Sequence, residues 1–169
     1  LSPEINKTVA KLLADNKIVA RCSGAMEFGA RALGNRSIMA NPSVLQNITK
    51  INQAVKKRDF WMPFAPSILE ESASRYFDDP KELKPWFMTF GYPVIEDKYD
   101  DLTAASHPRD HTIRPQVVTK EANPGYHDLI SHFESITGRG AILNTSFNLH
   151  GEPIVYSATD AVRVFLKSG

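Results

Sequence analysis

Short apolar runs alternate with stretches of helical periodicity along this chain, and that alternation constrains the fold more than any single motif. Residues 18–22 (Ile-Val-Ala-Arg-Cys), 38–40 (Ile-Met-Ala) and 141–143 (Ala-Ile-Leu) are too short for buried helices and read as strands. Ser2, Pro3 and Glu4 offer a capping hydroxyl, a first-turn proline and an acid, before Ile5, Val9, Leu12 and Leu13 at helical spacing. Ser43 is expected to cap a second helix with Val44, Leu45, Ile48, Ile51 and Val55 inward. Residues 125–137 predict a third, with Leu129, Ile130, Phe133 and Ile136 inward and Gly138 as its stop; Ser157 caps a last helix over 158–166. Further strands are expected at 87–95, 113–119 and 154–156, and a short helix at 70–77. Residues 23–35 read as a glycine-punctuated loop with a helical turn around 30–33. Residues 96–112 read as a mobile polar loop, and 60–69, with Pro63 and Pro66, as an extended segment at a sheet edge. No repeat is present, so the class is α/β (α+β) with a mixed sheet.

The 169 residues, 42% of them apolar, suffice for a single domain with its own core. Twenty basic against nineteen acidic residues leave a net charge of +1, which argues against a general nucleic-acid binder. The distribution is more informative. Arg21, Arg31, Arg36, Lys50, Lys56, Lys57 and Arg58 face only Glu27 among acids in that stretch, whereas residues 70–101 carry nine acids and four bases. Such segregation favours a local anion site over a basic coat. The one cysteine, Cys22, excludes an internal disulfide and lies in a strand-like run as a core residue. With no signal peptide and no apolar run of spanning length, no membrane is expected and the protein reads as cytoplasmic. The chain begins without methionine and reads as one domain, 1–169, cut from a longer protein.

Two polar motifs stand out. Lys56-Lys57-Arg58 closes the second helix, and Asn144-Thr145-Ser146-Phe147-Asn148 follows the strand at 141–143. Brought together, they make a pocket of fixed cations and neutral hydrogen-bonding groups, suited to a polyphosphate carrying a small polar group. Helix-end lysines and turn-forming amides explain the same residues on local grounds. Gly24, Gly29 and Gly34 are spaced by five, which is neither the dinucleotide fingerprint nor, with Ala30-Arg31 following, a P-loop. Their loop carries Arg31 and Arg36, whose planar guanidinium groups can each meet two phosphate oxygens. His107 and His111 have helical ligand spacing, but Pro108 lies between them and no third ligand is evident, so no metal site is expected. Ser146 lacks a nucleophile-elbow context and is read as a hydrogen-bonding group.

These motifs resemble a known family. Residues 26–37, Met-Glu-Phe-Gly-Ala-Arg-Ala-Leu-Gly-Asn-Arg-Ser, are similar to the M-E-F-G-P-R-A-L-G-N-R-S segment of the NodU/TobZ-type O-carbamoyltransferases. Ile51-Asn52 through Arg58 and residues 63–67 resemble that family's I-N-x-x-I-K-x-R and P-F-A-P-S. Residues 143–148 and 151–155 resemble its L-N-T-S-F-N and G-E-P-I-V. Ala25 stands where the family usually has arginine, and Ala30 where it has proline.

The resemblance is to the C-terminal domain of these enzymes. It implies a YrdC-like twisted mixed sheet with flanking helices and a concave, positively charged cavity, and a missing N-terminal domain of the actin/sugar-kinase-like class. It further implies formation of carbamoyl-adenylate from carbamoyl phosphate and ATP, with Mg²⁺ bridging the phosphates. The carbamoyl group would then pass to the missing domain and on to a hydroxyl of a sugar or natural product. The family's K-x-R and S-x-N pairs map onto Lys56/Arg58 and Ser146/Asn148, expected as the catalytic set on phosphate and carbamoyl oxygens. Arg31, Arg36, Arg114 and Asn144 are expected to line the nucleotide cavity. Two other readings are carried: a threonylcarbamoyl-adenylate synthase of tRNA modification, and a non-catalytic module binding RNA or a partner.

Overall fold

The computed structural model describes residues 3–57, 59 and 62–168. The capping assignment to Ser2 and the site assignment to Arg58 fall outside them. Four helices flank a five-stranded sheet: α1 (Pro3–Ala14), α2 (Gln46–Ile51), α3 (Pro124–Thr137) and α4 (Ala158–Lys167). Its strands are β1 (Val19–Cys22), β2 (Arg36–Ala40), β3 (Ala65–Leu69), β6 (Gln116–Val118) and β7 (Ala141–Ser146), in the order β1-β2-β7-β3-β6. All neighbours are antiparallel except β3 and β6, so the sheet is mixed as expected. A two-stranded ribbon pairs β4 (Tyr92–Pro93) with β5 (Thr112–Ile113).

Alternation along the strands divides the core. Met39, Leu69, Val118 and Ile142 face Ala10 and Leu13 of α1 and Leu129, Ile130 and Phe133 of α3. On the opposite side Ile38 joins Phe147, Val155, Ala161 and Val164, while Ala40 and Leu143 meet Ile51, Phe64, Ala104 and Ala105. Local signals held at the end of α3 and the start of α4. Asn123 caps α3 by accepting from the Tyr126 N–H, with Pro124 in its first turn, and Gly138 (φ 77°) closes it in the left-handed region that suits glycine. Ser157 and Asp160 form a reciprocal capping box on α4.

Other expectations fail for non-local reasons. Ser43 does not cap: its hydroxyl donates to Asn41 Oδ1 (2.9 Å), and buried Asn47 takes the inward place expected of Leu45, which is exposed. Ile5, Leu12 and Ile136 are likewise exposed, and Asn6 joins Ala10 and Leu13 as a buried residue of α1. β3 is interior despite Pro66. Its parallel pairing to β6 starts only at Ser67, so no ladder bond on that side requires a Pro66 N–H. The strand expected at 87–95 reduces to Tyr92–Pro93. Met88, Tyr92 and Val94 are buried, but Phe90 of the same expected face is exposed, and Met88 turns left-handed at φ 57° and breaks the extension. Arg114-Pro115 splits the run at 113–119 between the two sheets. No strand forms at 154–156, where Val155 N–H donates to Phe147 O (2.9 Å). The loop at 96–112 is compact: it holds two 3₁₀ turns, and Leu102, Ala104 and Ala105 are fully buried. No helical turn forms at 30–33. Among the described residues, no helix is long and apolar enough to cross a membrane.

Candidate active site

After α2 the chain continues in a π-helical turn, Asn52–Lys56, and Lys57 enters the left-handed region at φ 45°. Single π turns recur at functional sites. Here the turn delivers Lys56 to the end of β7. The ammonium, only 2% exposed, donates to Ser146 O (2.6 Å), Ser146 Oγ (3.0 Å), Asn148 O (3.2 Å) and Asn148 Oδ1 (2.7 Å). Ser146 Oγ donates in turn to Asn148 Oδ1 at 2.6 Å. The Asn148 amide nitrogen is fixed by the carbonyls of Leu149 (2.9 Å) and Glu152 (2.7 Å). The two distant motifs therefore meet, at a sequence separation of 90 residues.

The glycine loop is tied down at its C-terminal end, residues 32–36. Glu27 Oε1 accepts from the N–H groups of Leu33 (2.9 Å), Asn35 (2.7 Å) and Arg36 (2.9 Å). Asn144 Nδ2 holds Ala32 O and Gln116 Nε2 holds Leu33 O, both at 2.9 Å. Arg21 Nε holds Gly34 O at 2.9 Å. Burial lowers the Arg21 guanidinium from its ordinary pKa, and the group stands 6.0 Å from the Tyr126 ring centroid. Gly34 is obligatory here: at φ 111°, a Cβ would lie 2.3 Å from the Tyr126 ring.

Arg31 and Arg114 are exposed and border the same cavity of about 70 Å³, together with Phe64, Asn144, Thr145 and Ser146. The two arginines also border a wider cleft of about 630 Å³ that reaches Phe28 and Phe87. Arg36, expected there, is not among the residues of either wall. It is 7% exposed, and its guanidinium donates to the carbonyls of Ser23, Gly24, Asn35 and Tyr156. It staples the chain before α4 to the loop after β1. His107 and His111 also separate: His107 pairs with Asp110 (3.1 Å), while His111 stacks on Tyr99, ring centroids 3.7 Å apart.

Glu27, Gln116, Ser67 and Arg21 were not singled out from sequence, yet they hold the site's walls. Glu27 carried a usable signal as the lone acid in a basic stretch. The other three are reached only through pairing across the sheet. Both walls are free of carboxylates among the described residues. Two guanidinium groups beside neutral acceptors fit a polyphosphate, and leave a divalent ion to phosphate oxygens and water.

Residues 10–169 match the family described as Carbamoyltransferase C-terminus, and the chain belongs to it. It is 44% identical to the nodulation protein NolO of Bradyrhizobium diazoefficiens over 98% of this chain and 30% of that protein. It is 32% identical to the 3'-hydroxymethylcephem-O-carbamoyltransferase of Streptomyces clavuligerus, over 95% of this chain and 30% of that enzyme. The chain thus spans less than a third of these relatives. Among solved structures it is similar to Sua5 of P. abyssi (TM-score 0.68, 18% identity, 99% of this chain and 48% of that one). It is also similar to full-length HypF in a phosphate- and nucleotide-bound form (TM-score 0.62, 19% identity, 96% of this chain and 23% of that one). These last two likenesses establish the shared YrdC-like fold.

Proposed function

We propose that this domain activates a carbamoyl group with ATP, as one part of an O-carbamoyltransferase. The observation that carries the reading is the convergence of Lys56, Ser146 and Asn148 beside a small cavity bordered by Arg31 and Arg114. Carbamoyl phosphate first loses inorganic phosphate to water, leaving carbamate. A carbamate oxygen then attacks the α-phosphorus of ATP; the bond to the β,γ-phosphates breaks, giving carbamoyl-adenylate and pyrophosphate. Negative charge builds on the departing pyrophosphate, and preplaced cations lower that barrier. Arg31 and Arg114 supply direct phosphate contacts, and Arg58 is given the same role on the family's K-x-R pattern alone. Lys56 contributes its charge from beneath Ser146 and Asn148, whose oxygens it orients. Asn144 and Ser146 meet the carbamoyl end. A bound Mg²⁺ would supply further charge neutralisation on the polyphosphate, and no described side chain of either wall would hold it.

The rest of the longer protein would pass the carbamoyl group to a hydroxyl, as the hydroxymethyl substrate in a relative's name suggests. Exchange of labelled pyrophosphate into ATP, dependent on carbamoyl phosphate and run on the full-length protein, tests the reading. Lys56→Ala and Arg58→Ala should each lower exchange at least tenfold. No exchange from folded protein, or unchanged exchange in both variants, would refute it. Exchange driven instead by threonine and bicarbonate would favour the threonylcarbamoyl reading.

A further inference from the structure

β1 is an open edge of the five-stranded sheet. Ser23 N–H donates to Asn35 O (2.9 Å), and the Arg36 carbonyl accepts from Phe147 N–H on the opposite side (2.8 Å). Ladder bonds of an antiparallel pair fall on alternate residues. With Cys22 opposite Arg36, those from β1 to β2 therefore lie at Val19 and Arg21. The N–H and C=O groups of Ala20 and Cys22 point out of the sheet and find no backbone partner among the described residues. Open edges are ordinarily guarded by proline, by charge or by a covering element. β1 has no proline, and its one charge, Arg21, turns its Nε inward to Gly34 O.

An apolar groove follows this edge on each face. On one face Ile5 and Val9 of α1 and Leu129 of α3 line about 140 Å³ beside Val19. On the other, Val164 and Phe165 of α4 line about 140 Å³ beside Ile18 and Ala20. Ile5 and Phe165 are 43% and 62% exposed, so each groove ends in an apolar side chain left largely open to water. An added strand would bond to Ala20 and Cys22 and send alternate side chains into the two grooves. Because both grooves are apolar, such a strand is a continuous apolar run, with no alternation of polar and apolar residues.

We propose that β1 receives this strand from the part of the same longer polypeptide that precedes α1. The matched family is described as a C-terminus and the chain spans 30% of NolO, so most of a protein of that length stands before α1. That part enters the domain at the first turn of α1, where Ile5 borders one groove. Tethering at the groove makes the addition intramolecular and favours it over capture of a second copy. The inference does not depend on the carbamoyl-activation reading.

Two measurements on the full-length protein test it. Hydrogen exchange resolved to single amides should find Ala20 and Cys22 at least about a hundredfold slower than an unstructured peptide. Exchange at the unstructured rate would overturn the proposal, with no variant needed. A photoreactive benzoyl-phenylalanine in place of the exposed Phe165 should cross-link, at monomer mass, to a peptide that precedes α1 in the sequence. Cross-links joining two copies would assign the edge to self-association, and cross-links confined to this domain would leave the edge unoccupied. Either result would overturn the proposal.

Discussion

Two sets of basic residues surround the site, and burial separates them. Arg21, Arg36 and Lys56 are 8%, 7% and 2% exposed; Arg36 and Lys56 spend their donors on protein oxygens, and Arg21 gives its Nε to Gly34 O. Arg31 and Arg114 are exposed and border the cavity. All five look alike as cations in the sequence. The buried ones crosslink distant segments, because a desolvated charge persists only where oxygens surround it. The exposed ones remain accessible for a ligand's charge. A positively charged site here is therefore two layers: an inner scaffold of satisfied cations and an outer pair facing the cleft.

The contrast can be broken from either side. Arg36→Ala should have the largest effect on stability. Four carbonyls lose their donor, at a combined cost of about 3 kcal/mol or more, seen as a melting temperature lower by roughly 6–12 °C. If the protein melts unchanged, Arg36 is not scaffold. Arg31→Ala and Arg114→Ala should do the reverse: exchange activity falls about ten- to a hundredfold, while denaturant stability moves by no more than about 0.5 kcal/mol. A large loss of stability would move either residue to the inner set. Glu27→Gln preserves shape but removes the charge that three N–H groups share, and should cost about 1–2 kcal/mol in urea unfolding. Ser157→Ala calibrates the scale at about 1 kcal/mol through loss of the α4 cap.

A phenol extends the same contrast with no effect at neutral pH. Burial pushes Tyr76 up to about 12. A raised folded-state pKa means its stabilising contribution is complete below the unfolded value of about 10 and is lost as pH rises toward 12. Melting temperature should therefore decline over that window. Part of the decline should vanish in Tyr76→Phe, in a comparison of alkaline melts.

Much of the architecture was written locally. α3 and α4 carried their own caps, and the runs at 18–22, 38–40 and 141–143 became β1, β2 and β7. Where the reading failed, packing overrode pattern. Residues 87–95 alternate in sequence as a strand should, and Met88, Tyr92 and Val94 are buried, but Phe90 is exposed and Met88 turns left-handed, so only Tyr92–Pro93 pair. Residues 96–112 looked polar enough to be mobile, yet Ala104 and Ala105 pack with Ala40 and Leu143, and Leu102 enters the cluster around Ile68 and Tyr76.

The site divides along the same line. Sequence alone singled out Lys56, Ser146, Asn148 and Arg31 as residues of interest, because their chemistry and spacing are local properties. It could not tell Arg36 from Arg31, five positions away, since each is an arginine of the same glycine loop. Tertiary structure decided that, by walling one guanidinium in with four carbonyls and leaving the other on the surface. It also decided the direction of every hydrogen bond around Ser146. That polarity depends on Lys56, Leu149 and Glu152 meeting in space, and charge and hydrogen-bond capacity are spent on whatever the fold brings within reach.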